Sequence, residues 1–212
     1  MSELKIVVFN GSPRCGKGIA AKHLTKLVNS LEGNLPAFHM EFKDELFKIA
    51  SNVLGISIGE FLTDYERKTP DNVWWMKDLV SLSTSASMKV VGERKNYSQR
   101  EWLIHISENV IKPSFGKDAF GKALVNSLPE SGVVFISDSG FKEELQPVID
   151  HVGADNVMVV RIQREGCTFD GDSRSYLTPC MFKDPIQFYE ISNNGTEVAF
   201  LSEVEDMVGG WL

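Results

Sequence analysis

The sequence feature that most constrains the fold is a glycine-rich loop between a short apolar run and a helical pattern. The apolar run covers residues 4–9, and the loop reads Gly11, Ser12, Pro13, Arg14, Cys15, Gly16, Lys17 and Gly18. Glycine at positions 11 and 16 permits backbone conformations closed to other residues, so that successive N–H groups converge on one anion. The lysine would reach the outer phosphates, and the following helix N-terminus adds partial positive charge. We predict a phosphate-binding loop; a plain strand-to-helix turn is the alternative.

The loop departs from the phosphate-loop pattern G-x-x-x-x-G-K-[ST] only at its last position. Gly18 stands where the pattern has a hydroxyl that usually contacts magnesium, and Ile19 offers no hydroxyl either. Magnesium would therefore be held by the phosphates of the bound nucleotide, by water and by an acidic residue from elsewhere in the chain.

Composition limits the class of protein. With 42% apolar and 24% charged residues among 212, the chain has the make-up of one ordinary soluble domain. A net charge of -7 argues against a protein that coats nucleic acid, because such binding depends on Lys and Arg neutralising phosphates. Cys15, Cys167 and Cys180 are too scattered for a zinc ribbon and odd in number for a disulfide framework, so we expect a reducing compartment. We recognise no secretory leader and no membrane-spanning run, and expect neither secretion nor membrane insertion.

Alternating strand and helix patterns predict the fold class. Apolar runs typical of strands lie at residues 4–9, 36–42, 133–136, 157–160 and 187–191. Helical spacing occupies residues 16–31, 141–151 and 196–208. This order predicts a three-layer α/β fold of the P-loop NTPase type, with a doubly wound, parallel five-stranded sheet and right-handed crossovers. We assign residues 1–212 to a single domain whose core is 1–42 and 129–212.

The segment 43–128 interrupts this core with a mainly helical pattern. We predict helices at 43–50 and 99–111, the second ended by Pro113, and an irregular helical stretch over 55–91. Residues 92–98 are polar enough for a mobile loop.

Two further features belong to this segment. Asp118 is placed to cap a helix over 118–128, and Trp102, Leu103, Ile106 and Val110 would face inward from the preceding helix. For Trp74 and Trp75, core packing competes with a base-stacking platform, a wall of a substrate site or a dimer face, so a homodimer is a prediction that the sequence leaves open.

Charged residues cluster at two other places. Asp138 follows the strand 133–136, where its carboxylate would lie at the carboxyl edge of the sheet beside a bound nucleotide and its metal; a turn-capping role is the alternative. Arg161, Arg164 and Arg174 surround a polar loop and could close over a transferring phosphoryl group. The alternative is that they are surface arginines paired with Asp170 and Asp172.

At this point the chain resembles a family. Glycine also follows the lysine in the loops of adenylate kinases and other nucleoside monophosphate kinases. The order of features along almost the whole chain is similar to that of bacteriophage deoxynucleoside monophosphate kinases and the related dephospho-coenzyme A kinases. The resemblance implies a kinase that uses ATP and Mg²⁺ to convert a (deoxy)nucleoside monophosphate to the diphosphate. Its partners would be small nucleotides, without nucleic acid or membrane, in the cytoplasm, or the host cytoplasm if the protein is viral.

The resemblance also implies roles for single residues. The segment 43–128 would bind the acceptor and residues 162–178 would form a lid. Besides the glycine-rich loop, ATP would contact the turn Asn193 to Thr196, mainly through Asn194 and Gly195. The acceptor would be bound by Lys43, Arg100, Asp138 and Glu144. The groups implied in catalysis are Lys17, Arg14, Asp138, Arg164 and Arg174, with Asp138 also holding the metal through water.

One departure from the family pattern bears on the acceptor. Several relatives have an arginine two residues after the matched aspartate, but this chain has Gly140, with Lys142 nearby. Two alternatives to a nucleoside monophosphate kinase therefore stay open. They are a kinase for another small phosphorylated acceptor, such as dephospho-coenzyme A, and a non-catalytic nucleotide-binding regulatory or assembly module.

Overall fold

The computed structural model of the chain describes residues 4–31, 35–67, 74–77 and 94–212. Its strands are β1 (Leu4–Asn10), β2 (Ala37–Met40), β3 (Trp74–Lys77), β4 (Arg94–Tyr97), β5 (Gly132–Ser139), β6 (Val157–Gln163) and β7 (Gln187–Ser192). Its α-helices are α1 (Lys17–Ser30), α2 (Asp44–Leu54), α3 (Ile58–Arg67), α4 (Gln99–His105), α5 (Lys112–Phe115), α6 (Ala119–Ser127), α7 (Lys142–Val152) and α8 (Glu197–Gly209).

The chain forms two compact units, which are Met1–Glu45 with Phe115–Leu212, and Leu46–Ser114. The first unit contains a five-stranded sheet in the order β2-β5-β1-β6-β7, and each neighbouring pair is parallel. The glycine-rich loop leaves the carboxyl end of β1, the central strand. The domain boundaries given above, which place the core at 1–42 and 129–212, stay a prediction.

Both faces of this sheet are covered, as the apolar strand patterns predict. Val7 and Phe9 of β1 pack in a cluster with Ala20 and Leu24 of α1 and Phe200 of α8. The alternate β1 residues point to the other face, where they are equally buried. Three layers result, and the predicted α/β fold of the P-loop type with a doubly wound parallel sheet is confirmed.

The second unit is mostly helical, with its own apolar centre. The rings of Phe47 and Phe61 meet edge to face at 5.9 Å between centroids, and Trp102 Nε1 donates to the Ala50 carbonyl at 3.3 Å. Two expectations about this region are wrong. Residues 74–77 and 94–97 form an antiparallel strand pair, where we had expected an irregular helix and a mobile loop. Strand pairing depends on a partner distant in sequence, which a local pattern does not reveal.

The helix predicted over 99–111 also differs from the structure. After α4 the chain continues as a π-helix, Ile106–Ile111, in which the Lys112 N–H donates to the Ser107 carbonyl five residues earlier. Pro113 lies within the following turn of α5 and does not end the helix. A proline ring has no N–H and crowds the carbonyl four residues before it, and a wider turn accommodates both.

Two side chains of this stretch also differ from expectation. Trp102, Leu103 and Ile106 are buried as predicted, but Val110 is exposed because the π-turn rotates it away from that face. Asp118 precedes α6 without making a side-chain capping hydrogen bond and pairs with Lys122 at 2.7 Å instead. The side chains of Trp74 and Trp75, and hence the alternatives proposed for them, lie outside the described part of the chain.

Candidate functional site

The glycine-rich loop has a conformation that two of its glycines make possible. Gly16 has φ +113°, and a Cβ atom there would lie 2.6 Å from Asn193 Nδ2. A Cβ at Gly11 would lie 2.6 Å from the Ile162 carbonyl oxygen. Any larger residue at either position would force the loop away from β6 or from the turn after β7. Arg14, exposed on the same loop, also has a positive φ, of 66°.

Lys17 begins α1 and folds back over the loop. Its Nζ donates to the carbonyl oxygens of Gly11 and Ser12, both at 2.7 Å, and the side chain is buried. Burial lowers the pKa of Lys17; the charge of Arg174 lowers it further, and that of Asp172 opposes the change. The ammonium group is therefore already held on the loop where a phosphate would bind, with Arg174 and Asp172 close enough to influence it.

Two asparagines fix the loop between neighbouring strands. Asn193 is buried, and its Nδ2 donates to the Cys15 carbonyl at 2.8 Å, while its backbone N–H donates to Gln163. Asn10, the last residue of β1, donates from Nδ2 to the carbonyls of Ser139 and Ser175 at 3.2 and 3.1 Å. Sequence reasoning overlooked both roles. A buried Asn directly before or after an apolar strand is the signal that could have found them.

The turn predicted to contact ATP lies beside this framework. Asn194 Oδ1 accepts the Glu165 N–H at 2.7 Å, and both Asn194 and Gly195 are exposed. Thr196 caps α8 by accepting the Ala199 N–H. The turn is thus joined to the loop through its first residue, Asn193, and contacts of Asn194 and Gly195 with ATP stay a prediction.

Arg174 reaches the same region from the loop after β6. Its Nε and Nη2 donate to the two carboxylate oxygens of Asp172 at 2.9 and 2.7 Å, and its backbone N–H donates to Asp172 Oδ1 at 3.0 Å. The pairing with Asp172 matches the alternative considered for the sequence, but this is no solvated surface pair. The Asp172 side chain is only 10% exposed and that of Arg174 26%.

The absence of an arginine at position 140 has a structural reason. A Cβ atom built on Gly140 would lie 2.4, 2.6 and 2.8 Å from Cβ, Cγ and Cδ of Arg174. The Ser175 N–H donates to the Gly140 carbonyl at 3.2 Å, and the Leu177 N–H donates to Asn10 Oδ1 at 2.8 Å. The stem of Arg174 therefore lies directly on the glycine, in a segment tied to the ends of β5 and β1.

The other arginines predicted for the site are placed differently. Arg14 and Arg164 are exposed, and the structure does not bring either onto Lys17. Arg161 on β6 hydrogen-bonds to Glu190 on β7, so its side chain is engaged on the sheet. Of the predicted lid arginines, Arg174 is the one whose charge lowers the pKa of Lys17.

Asp138 is buried near the carboxyl end of β5. Its Oδ1 accepts the Phe42 N–H at 2.8 Å and its Oδ2 accepts the Lys43 N–H at 3.0 Å. Burial, with a contribution from the charge of Glu41, raises the pKa of Asp138 to about 6. This geometry corresponds to the turn-holding alternative, because both carboxylate oxygens secure the turn between β2 and α2.

A magnesium site made of protein ligands does not fit these residues. Gly18 offers no hydroxyl, and both oxygens of Asp138 already accept backbone N–H groups. Within the part of the chain that the structure describes, no group of three or more His, Cys, Asp or Glu side chains could hold a metal ion. A role of Asp138 toward a metal stays a prediction.

The raised pKa of Asp138 predicts a pH-dependent stability. The ordinary pKa of an aspartate is 3.8, so ionisation between about pH 4 and 6 costs the folded state more than the unfolded chain. The stabilisation that protonated Asp138 gives the folded state is therefore complete below pH 4 and is lost as the pH rises through 6. Relative to Asp138→Asn, the wild-type free energy of unfolding should fall by about 1–3 kcal/mol from pH 4 to pH 7. Urea unfolding of both proteins across this range measures it, and parallel curves would contradict the assignment.

The remaining acceptor-site residues are only partly brought together. Lys43 Nζ lies 3.2 Å from Glu41 Oε2, beside Asp138, and Ser137 Oγ donates to Glu41 Oε1 at 2.7 Å. Glu144 is buried on α7. Arg100 is exposed on α4 in the second unit. Lys43 and Asp138 thus share one corner of the sheet, and the roles of Glu144 and Arg100 stay predictions.

Comparisons with known proteins found similarity among solved structures. No protein-family model and no curated protein matches the sequence. A solved gluconokinase from Sinorhizobium meliloti 1021 is similar over 99% of this chain and 94% of its own, with a TM-score of 0.42 and 10% sequence identity. A similarity at this level does not bear on the substrate or the reaction of this chain. Among the described residues, no helix is both long and apolar enough to cross a bilayer.

Proposed function

We propose that the chain is an ATP-dependent kinase that phosphorylates a (deoxy)nucleoside monophosphate to the diphosphate. The observation that carries the proposal is that Lys17 lies on the glycine-rich loop while the stem of Arg174 is held on Gly140, close enough for the Arg174 charge to lower the pKa of Lys17. Lys17 arrives from the loop itself, and Arg174 arrives from the segment between β6 and β7. A loop that binds only one phosphate would not require a second, separately anchored guanidinium.

The chain's own residues would act by position and charge. ATP supplies the phosphoryl group, whose transfer needs alignment and compensating positive charge more than covalent help. Lys17 would exchange the Gly11 and Ser12 carbonyls for phosphate oxygens. Arg174 would supply paired N–H donors to the transferring group, and Arg14 and Arg164 would add charge from the loop rim and the lid.

The acceptor would lie at the corner where β2 and β5 end. Asp138 fixes the backbone of Phe42 and Lys43 there, so that the Lys43 ammonium is presented next to the sheet edge. In this proposal Lys43 binds the acceptor phosphate, and Glu144 contributes to acceptor binding from α7; the role of Arg100 stays an expectation from the resemblance.

The proposal is tested by incubating the protein with ATP, Mg²⁺ and a panel of ribo- and deoxyribonucleoside monophosphates while ADP formation is followed. Turnover with one or more monophosphates is the expected result. Turnover with dephospho-coenzyme A and with none of the monophosphates would mean that the acceptor is not a nucleoside monophosphate. Tight ATP binding without ADP formation on any acceptor would overturn the kinase and favour a nucleotide-binding regulatory or assembly module.

A further inference from the structure

Asp172 offers Arg174 the same arrangement of oxygens that a phosphate would offer. The two carboxylate oxygens accept from Nε and Nη2 at 2.9 and 2.7 Å, in the bidentate geometry that guanidinium groups adopt with carboxylates and phosphates alike. The backbone N–H of Arg174 is bound by the same carboxylate. Asp172 therefore orients both the main chain and the side chain of Arg174.

The pair is anchored next to the phosphate loop. The stem of Arg174 lies on Gly140, the next residue donates to the Gly140 carbonyl, and Asn10 binds Ser175 and Leu177 on the other side. Asn10 immediately precedes the first glycine of the loop. Because the backbone and the stem of Arg174 are held, the guanidinium can exchange one anion for another by rotation about the last side-chain bonds alone.

A polyphosphate can offset the cost of breaking the pair. The side chains of Arg174 and Asp172 are 26% and 10% exposed, so parting them leaves a mostly buried carboxylate without its guanidinium. A polyphosphate carries several charges and would be bound by Lys17 at the same time. The exchange is therefore favourable only for an anion that occupies the loop.

We propose that Asp172 is a positioning residue that occupies the phosphate-binding edge of Arg174 until a polyphosphate enters the loop, when Arg174 exchanges the carboxylate for phosphate oxygens. The inference rests on the proposed function in that ATP is the natural ligand of the loop. It goes further, because it assigns Asp172 the task of keeping Arg174 in place while lowering the affinity of the empty site for anions.

The test is a double-mutant cycle read by calorimetric binding of tripolyphosphate, which requires no turnover. Asp172→Asn keeps the shape and an acceptor for the Arg174 N–H but removes the charge. It should tighten tripolyphosphate binding about fivefold or more, because the bound state no longer leaves a mostly buried carboxylate without its partner. In an Arg174→Gln background the same change should alter the affinity less than twofold. Asp172→Ser provides the same comparison if asparagine disturbs the loop.

A matched control separates exchange from simple removal of negative charge. Asp170 is exposed on the same loop and accepts from Thr168 Oγ1 at 2.7 Å; Asp170→Asn should change tripolyphosphate affinity less than twofold. The exchange would be overturned if Asp170→Asn tightened tripolyphosphate binding as much as Asp172→Asn does. It would also be overturned if Asp172→Asn tightened binding equally in the wild type and in the Arg174→Gln background. Unchanged or weaker binding by Asp172→Asn, or no binding to the wild type, would also overturn it. Absence of ADP formation alone would refute the kinase and leave the exchange standing.

Discussion

Lys17→Met is expected to reduce phosphoryl transfer by about 10³-fold or more, the loss seen when a preorganised charge on a reacting phosphate is removed. The physical reason is the position of Nζ, which lies 2.7 Å from the carbonyl oxygens of Gly11 and Ser12, on the loop itself. Methionine fills the same space without a charge or a donor. Steady-state ADP formation with the best acceptor measures the effect.

The fold should survive this change. Burying the ammonium is itself unfavourable, as the lowered pKa of Lys17 shows, so the free energy of unfolding should change by no more than about 2 kcal/mol. Lys26→Met, at an exposed position of the same helix, is the matched control and should retain full turnover. Undiminished activity in Lys17→Met would refute the phosphate-loop assignment.

Gly140→Ala is expected to lower turnover by about 10²-fold, comparable to losing one charge-stabilising donor. The added methyl would fall 2.4 Å from Arg174 Cβ, an atom that can move only if its backbone moves. The segment 174–177 would shift, and the guanidinium would move with it. The strain should also reduce the free energy of unfolding by about 1–3 kcal/mol, measured by urea unfolding.

A second variant shows whether the loss of turnover comes through the arginine. If it does, Arg174→Gln alone should reduce turnover to a similar extent, and adding Gly140→Ala should lower it less than twofold further. Gly209→Ala is the control, because a Cβ there meets nothing within 4 Å; it should retain turnover and stability. If the double variant instead loses turnover by the product of the two single losses, Gly140 acts independently of Arg174.

The sequence predicted the parts of the molecule that local chemistry determines. Apolar runs that end in turns produced the strands of the parallel sheet, and Gly16 has the positive φ that the glycine-rich pattern predicts. These features depend on residues close together in sequence, or on burial of whole strands, so periodicity and composition suffice to identify them.

The parts that were missed depend on contacts between distant residues. In the sequence, Gly140 stands where several relatives have an arginine. In the structure, the stem of Arg174, from another loop, fills the space beside this glycine. The resemblance assigned Asn194 and Gly195 to ATP, which stays a prediction, but it did not indicate that Asn193 binds the phosphate loop. Asp138 was expected to hold a metal through water, which stays a prediction, but its two hydrogen bonds to the turn at Phe42 and Lys43 were not foreseen. No local pattern specifies which of several polar residues makes such a contact.

The central claim is that the chain moves the terminal phosphoryl group of ATP onto a nucleoside monophosphate. The most direct measurement uses ATP labelled in the γ-phosphate and follows the label by chromatography in wild type and in Lys17→Met. Label appearing in a nucleoside diphosphate with the wild type, and not with Lys17→Met, is the predicted result. Label found only in inorganic phosphate, or remaining in ATP with every monophosphate, would contradict it.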